Sequence, residues 1–327
     1  MARTSRSSAF TVSTRCDAAI VAEYGTAPKW ESWPTPVPGP GEALVRFEAA
    51  GLNPVDLAIG AGRFYLPLPA PPYVAGAEAV GTIVSSVRWA PGTRVWSLSP
   101  VGRFSELFVA RDDELIAVPG GVDPKIAAAM GIAGLAGWSP IVTRGGLSPG
   151  ERVLVLGASG IVGQVAIQTA RARGAGHIVA VARSMDGQTR ARACGAHVAC
   201  GLSDAEIAAS TGEGIDLIVD TLWGSPAMSA LGLLSSSGRL VQIGSAAAQS
   251  ADLVAGPLRG RRIDIRGFSV FSEPFDEMAT QYPALCEAAQ RGEIAIGIDA
   301  IDVRDIADAW SAQAQQSSGR KFVLVAE

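Results

Sequence analysis

The residues with the plainest chemical potential lie between Arg152 and Ser184. Arg152-Val-Leu-Val-Leu156 is an apolar run rich in β-branched residues, and Gly157-Ala-Ser-Gly-Ile-Val-Gly163 follows it without a break. Val162, Val165, Ala166, Thr169 and Ala170 then recur at helical spacing up to Gly174, and His177-Ile-Val-Ala-Val-Ala182 returns to β character. Strand, glycine turn, helix and strand in that order predict a βαβ unit with a buried parallel strand. Its turn, Ala158-x-Gly160-x-x-Gly163, differs from the G-x-G-x-x-G dinucleotide fingerprint by one methyl group at the first position. Gly160 lets the backbone approach a pyrophosphate, and Gly163 lets the helix close on its strand. The helix N-terminus offers unpaired N–H groups and partial positive charge. Ala158, Ser159, Gly160, Ile161, Val162 and Gly163 are therefore expected to cradle dinucleotide phosphates.

The residue closing the second strand, about 20 positions beyond the last glycine, decides which dinucleotide binds. An Asp or Glu there accepts from ribose hydroxyls; here the strand runs Val181-Ala182-Arg183-Ser184. Arg183 can grip a 2′-phosphate with two charge-assisted hydrogen bonds and Ser184 can add a neutral one, which favours NADPH. A solvated surface arginine is the alternative reading of Arg183. Arg190 and Arg192 on the following helix add positive field or simply face solvent. Asp220-Thr221 ends one later strand and Ile243-Gly244-Ser245 ends the next. Ligands of open parallel sheets gather at such ends, so Thr221, Gly244 and Ser245 are expected to line the cofactor.

The elements around this unit fall into two kinds. Before it, short strands are broken by Pro and Gly: Ala43–Ala49, Val80–Val84, Thr93–Trp96 and Phe104–Val109, with Trp33–Gly41 as a rigid connector. After it, helix and strand alternate: a helix over Gln188–Cys194, a strand at Ile215–Val219, a helix over Ser225–Leu234, and strands at Arg239–Ile243 and Arg262–Ile265. Helices over Asp276–Gln290 and Val303–Gln316 and a strand at Lys321–Val325 follow. The fold class is α/β, with a β-rich domain beside a doubly wound parallel sheet.

Size and composition bound the function. The 327 residues with 48% apolar content suffice for two cores. A net charge of −4 disfavours nucleic acid, and no apolar run reaches the roughly 18 residues that span a bilayer. Cys16, Cys194, Cys200 and Cys286 form no C-x-x-C pair, which argues against a disulfide framework or zinc cluster and for a reducing, cytoplasmic location. Residues 1–15, rich in Arg and Ser, read as a disordered leader rather than a transit peptide, because apolar helical spacing is nearly absent.

Several stretches, in order, resemble the zinc-independent medium-chain dehydrogenase/reductases of the quinone oxidoreductase type: Gly51-Leu-Asn-Pro-Val-Asp56, Ala75-Gly-Ala-Glu-Ala-Val-Gly81, Pro91-Gly-Thr-Arg-Val95, the Gly157–Gly163 turn, Gly195-Ala196 and Gly319-Arg-Lys-Phe-Val-Leu324. The resemblance implies a GroES-like catalytic domain made of residues 16–130 and 272–327, a Rossmann NADPH-binding domain over residues 131–271, and a cofactor cleft between them. Zinc members of the wider superfamily carry a Cys near Asn53 and a His at Ala77; with neither present, no catalytic metal is expected. The resemblance also implies that Gly267-Phe268-Ser269-Val270 contacts the nicotinamide carboxamide and that Lys321 lies near the cofactor. Where the family often has Thr, this chain has Ala136.

Without a Lewis acid, hydride transfer rests on cofactor placement and on hydrogen bonds to the oxygen that becomes negative, which selects a quinone or an α,β-unsaturated carbonyl as acceptor. Asn53 is expected to make the polar contact near the nicotinamide, or else to organise the Asn-Pro turn; Asp56 braces that loop and Glu78 is structural. Related enoyl-thioester reductases place a Tyr about eleven residues beyond the Asn, which lands on Phe64, so Tyr65 becomes the candidate acid and Tyr73 a second one. Phe64, Tyr65, Leu66 and Phe271 are expected to line the pocket. An enoyl-thioester reductase of a biosynthetic pathway is the alternative enzyme, and a dinucleotide-binding sensor or structural protein without turnover the alternative class. The strand at Arg262–Phe268 reads as an uncovered sheet edge, and a homodimer is expected through it.

Overall fold

The computed structural model describes residues 13–212, 214–315 and 319–326; most of the segment read as a disordered leader lies outside them. Its last residue, Arg15, already begins the first strand.

The N-terminal part runs β1 (Arg15–Val21), β2 (Lys29–Pro34), β3 (Glu42–Gly51), α1 (Pro54–Gly60), β4 (Tyr73–Val74), β5 (Glu78–Ser85), β6 (Arg94–Leu98), β7 (Leu107–Arg111) and β8 (Leu115–Ala117). Two helices, α2 (Pro124–Ala129) and α3 (Ile132–Val142), lead into the βαβ region. There β9 (Arg152–Leu156), α4 (Ile161–Ala172), β10 (His177–Val181), α5 (Met185–Ala193), β11 (Val198–Cys200), α6 (Asp204–Thr211), β12 (Ile215–Asp220), α7 (Gly224–Leu231), β13 (Leu234–Gln242), α8 (Ala255–Arg261) and β14 (Asp264–Gly267) alternate. The chain then adds α9 (Phe275–Gln290), β15 (Ile298–Asp302), α10 (Ile306–Ala314) and β16 (Lys321–Val325).

The nucleotide-side sheet has the order β11-β10-β9-β12-β13-β14, every neighbour parallel. Val153 to Leu156 and Ile178 to Val181 are fully buried, which explains why these strands read as continuous apolar runs rather than alternating ones. The other large sheet has the order β15-β16-β3-β5-β6-β8, with β7 also on β3, so the last strand of the chain lies beside the third. Because every pairing is parallel, all six strands end at one rim of the sheet.

Some boundaries differ from those the sequence suggests. Leu234 opens β13 instead of closing α7, and the segment beginning at Val303 starts with a 3-10 turn before α10. The strand β15, Ile298-Asp-Ala-Ile-Asp302, has no clear sequence signal, because its two acids break the apolar pattern. It pairs in parallel with β16, and Ala300 on its outer side is exposed.

Candidate active site

The glycine turn follows β9 at the carboxyl rim. Gly157 has φ +81°, so the residue before the motif supplies the left-handed conformation, and Ala158 at the motif's first position is tolerated there. A β-carbon on Gly163 would sit 2.6 Å from both the Ala158 Cα and the Gly157 carbonyl oxygen, which is the close helix–strand contact expected of that glycine. Gly160 is the N-cap of α4, has no capping side chain, and meets nothing nearer than the Gly157 oxygen at 3.7 Å. The turn therefore leaves backbone N–H groups of a twelve-residue helix open to an anion. Ser159, Ile161 and Val162 are on the same turn, and Gln164 ties it to the C-terminal segment by donating to Ser159 O and Gly319 O.

Around the rim the remaining candidates take distinct places. Arg183 is exposed just past β10, and Ser184 caps α5 by accepting from Gly187 N at 3.1 Å. Ser184 thus commits its oxygen to the helix, while the Arg183 guanidinium stands at the strand end. Thr221 donates to Leu156 O, and its hydroxyl lies where a side chain on Gly157 would have to go. Gly244 leaves no room for a side chain against Thr221 O, and Ser245 accepts from Gln249. Phe268 and Val270 are buried at the end of β14.

A cavity of about 590 Å³ opens between the two halves, lined by Val55, Phe64, Tyr65, Ile132, Ala136 and Ile243 together with the segment from Gly267 to Ser272. Phe64 meets Phe271 edge to face with ring centroids 5.1 Å apart, and Tyr65 leans on Phe64 at 4.5 Å. The Tyr65 hydroxyl lies 2.5 Å from Ser269 Oγ, joining the loop after α1 to the loop after β14. Tyr65 is 62% exposed, so water reaches it. Leu66, expected in the lining, is half-buried outside it, and Tyr73 is buried in the β-rich core with its hydroxyl on Ile59 O. The pairing of Tyr65 with Ser269 has no sequence signal, since 204 positions separate them.

Asn53 and Lys321 lie behind the cavity wall. Asn53 is 2% exposed; its amide nitrogen donates to Gly51 O and Glu78 Oε1, and its oxygen accepts from Lys321 Nζ at 2.6 Å. Neither group is free for a substrate oxygen, and Asn53 also caps α1, whose Asp56 accepts from Asn53 N and Ala77 N. Lys321 also donates to Leu52 O at 2.8 Å. Burial disfavours the charged forms in this cluster: the Asp56 carboxyl is pushed up to about 7, Glu78 is also raised, and the Lys321 ammonium is lowered although both carboxylates favour its charge.

The positions that zinc relatives use hold Asn53 and Ala77, and Cys16 is buried with its sulfur 3.6 Å from Ser105 Oγ. His177 and His197 stack on each other at the amino end of β10, the opposite rim from the glycine turn. Among the described residues no three His, Cys, Asp or Glu side chains converge as metal ligands.

Known proteins agree with this architecture. Residues 39–120 match the alcohol dehydrogenase GroES-like domain and residues 162–285 the zinc-binding dehydrogenase family. The chain is 31% identical over 263 residues to the quinone oxidoreductase of Homo sapiens, covering 77% of this chain and 78% of that one. Prostaglandin reductase-3 of Bos taurus is 30% identical over 220 residues, covering 64% and 57%. A solved structure of the quinone oxidoreductase from Thermus thermophilus, determined also in complex with NADPH, superposes with a TM-score of 0.79 at 28% identity, over 94% of this chain and 99% of that one.

Proposed function

The chain belongs to the zinc-independent medium-chain dehydrogenase/reductases of the quinone oxidoreductase type, and from that premise we propose that it is an NADPH-dependent reductase of quinones or α,β-unsaturated carbonyls. The observation that carries this reading is the largely apolar cavity lined by residues of both halves, with the Tyr65–Ser269 hydroxyl pair on its lining. The Gly157–Gly163 turn fits the pyrophosphate because α4 starts at Gly160 without a capping side chain and a β-carbon on Gly160 would meet nothing nearer than the Gly157 oxygen at 3.7 Å. Arg183 fits the 2′-phosphate, since a guanidinium at a strand end matches a dianion and would leave the ribose hydroxyls of NADH without an acceptor.

Once bound, the reduced nicotinamide supplies a hydride to the acceptor. The chain's own contribution is placement and proton handling. Val55, Ile132, Ala136 and Ile243 keep water from the reacting carbon, and the edges of Phe64 and Phe271 suit a flat, conjugated ring. Tyr65 is the catalytic acid: its hydroxyl, held by Ser269, donates to the acceptor oxygen as negative charge grows there, and solvent returns the proton to the exposed ring. Asn53 acts at one remove, by fixing the loop that carries Val55. Phe268 to Val270 would hold the carboxamide through main-chain groups.

We further propose a homodimer formed through β14, the terminal strand of its sheet, and residence in the cytoplasm, which suits four free thiols. No helix among the described residues is long and apolar enough to cross a membrane. Following NADPH absorbance with a panel of quinones and enones tests the reading. Consumption with at least one acceptor is expected; tight NADPH binding with no turnover on any of them would instead mark a dinucleotide-binding protein without chemistry.

A further inference from the structure

Among the described residues, Glu78 is the fully buried carboxylate that links both walls of the cavity. On β5 it is 0% exposed, and its two oxygens accept three hydrogen bonds. Oε1 takes the Asn53 amide at 2.8 Å; Oε2 takes the Trp96 indole at 2.9 Å and the Ile132 backbone N–H at 2.8 Å. Ile132 begins α3, the helix whose Ile132 and Ala136 form the nucleotide-side wall. Asn53 begins α1, whose Val55 forms the opposite wall. The backbone is shaped around the carboxylate: a β-carbon on Gly131 would fall 1.7 Å from Oε2, and one on Gly51 would fall 2.5 Å from Oε1.

The same helix reaches the phosphate loop. A β-carbon on Gly137 would lie 2.6 Å from Val162 O, so α3 rests directly on the first turn of α4. A negative charge at the N-terminus of the eleven-residue α3 is also favourably placed against the helix dipole. We propose that Glu78 is a positioning residue for the reduction, setting the separation of the cavity walls by tethering the starts of α1 and α3 to one carboxylate. It touches neither acceptor nor cofactor and acts through Val55, Ile132 and Ala136.

Hydrogen-bond polarity supplies a strict test. In Glu78→Gln, one oxygen still serves Trp96 and Ile132, but the new amide nitrogen faces the Asn53 amide nitrogen, donor against donor. Turning Asn53 over only moves the conflict onto the Lys321 ammonium, which now donates to the Asn53 oxygen. The double variant Asn53→Asp/Glu78→Gln relieves that conflict, since the amide introduced on β5 donates to the carboxylate introduced at the start of α1 and that carboxylate accepts from Lys321. It also sets a carboxylate oxygen against Gly51 O, which the Asn53 amide nitrogen serves in the parent. The inference rests on the proposed reductase reading, so amide exchange is measured alongside turnover.

Glu78→Gln is expected to raise the acceptor KM by about tenfold, the cost of one mismatched buried hydrogen bond, while NADPH affinity read by cofactor fluorescence stays within about threefold. Exchange at the Ile132–Ala136 amides should quicken. The double variant should recover about threefold of the lost KM and slow exchange relative to the single one, a partial return because Gly51 O still lacks its donor. An unchanged single variant would overturn the proposal. So would a double variant that stays as impaired as the single one or does not fold, because either marks Glu78 as a fold element only. If the parent protein turns over no acceptor, the reductase reading falls, and the exchange data alone still decide whether Glu78 holds α3.

Discussion

Replacing Tyr65 by Phe removes a single oxygen and leaves the ring, with its 4.5 Å contact to Phe64, in place. Because the side chain is 62% exposed, the lost bond to Ser269 should alter stability by less than about 0.5 kcal/mol, the usual range for surface changes. Catalysis should respond more strongly. A donor facing an oxygen that turns negative in the transition state is worth about 1.5–4 kcal/mol, or roughly 10- to 1000-fold in rate. Ser269 Oγ lies 2.5 Å from the missing hydroxyl and can partly replace it, so the lower end is expected, a fall of about 10- to 30-fold in kcat/KM for an enone. A quinone, whose reduced form takes protons readily from water, should lose less. Steady-state NADPH oxidation with one enone and one quinone, together with a thermal melt, measures all three quantities. If Tyr65→Phe kept both rates within about twofold of the parent, the hydroxyl pair would have no part in proton delivery.

Three further outcomes follow from the geometry. Arg183→Ala should weaken NADPH binding by about tenfold or more while leaving NADH unaffected, because charge-assisted bonds contribute about 1.5–3 kcal/mol and only the phosphorylated cofactor makes them; equal loss for both cofactors in fluorescence titrations would remove Arg183 from the site. Gly163→Ala forces a methyl group to within 2.6 Å of the Ala158 Cα and should destabilise by about 1–3 kcal/mol in urea unfolding, with a weaker phosphate site; a neutral result would contradict the close helix–strand contact. The Asp56 carboxyl, pushed up to about 7 by burial, binds its proton in the folded state at pH values where the unfolded chain has released it. Its stabilising contribution is therefore complete below about pH 4 and declines as pH rises to about 7, Glu78 having the same sign. Urea midpoints at about pH 5 and about pH 7.5 should show that slope in the parent, and Asp56→Asn should flatten it; a parent whose midpoint rises over that interval, or a variant as steep as the parent, would contradict the assignment.

The parts legible in the sequence are those whose causes are local. β9, the glycine turn, α4 and β10 carry their own signals in β-branched runs, glycine spacing and helical periodicity, and the structure places them within a residue or two of the sequence reading. Placing the last strand in the catalytic domain rests instead on family resemblance, and β16 does pair with β3. Illegible are the contacts that decide what each polar group does. Lys321 reaches Asn53 across 268 positions, and that one bond withdraws both residues from the cavity. Asn53 reads equally well as a substrate ligand or a turn former, because an amide's partners are set by tertiary neighbours. β15 is silent in the sequence because pairing with β16 overrides a pattern in which Asp299 and Asp302 interrupt the apolar residues.

The return of β16 to the edge of β3 has a consequence for the order of assembly. The parallel sheet is built from pairings close in sequence and has every strand available once residue 267 has been synthesised. Its neighbour must hold β3 waiting until some 270 further residues have emerged, and only then can the Lys321 ammonium reach Leu52 and Asn53. Translation therefore favours a ribosome-bound intermediate whose nucleotide half is finished while its acceptor half still lacks a seam, a stage at which chaperone capture or proteolysis would fall on one half alone.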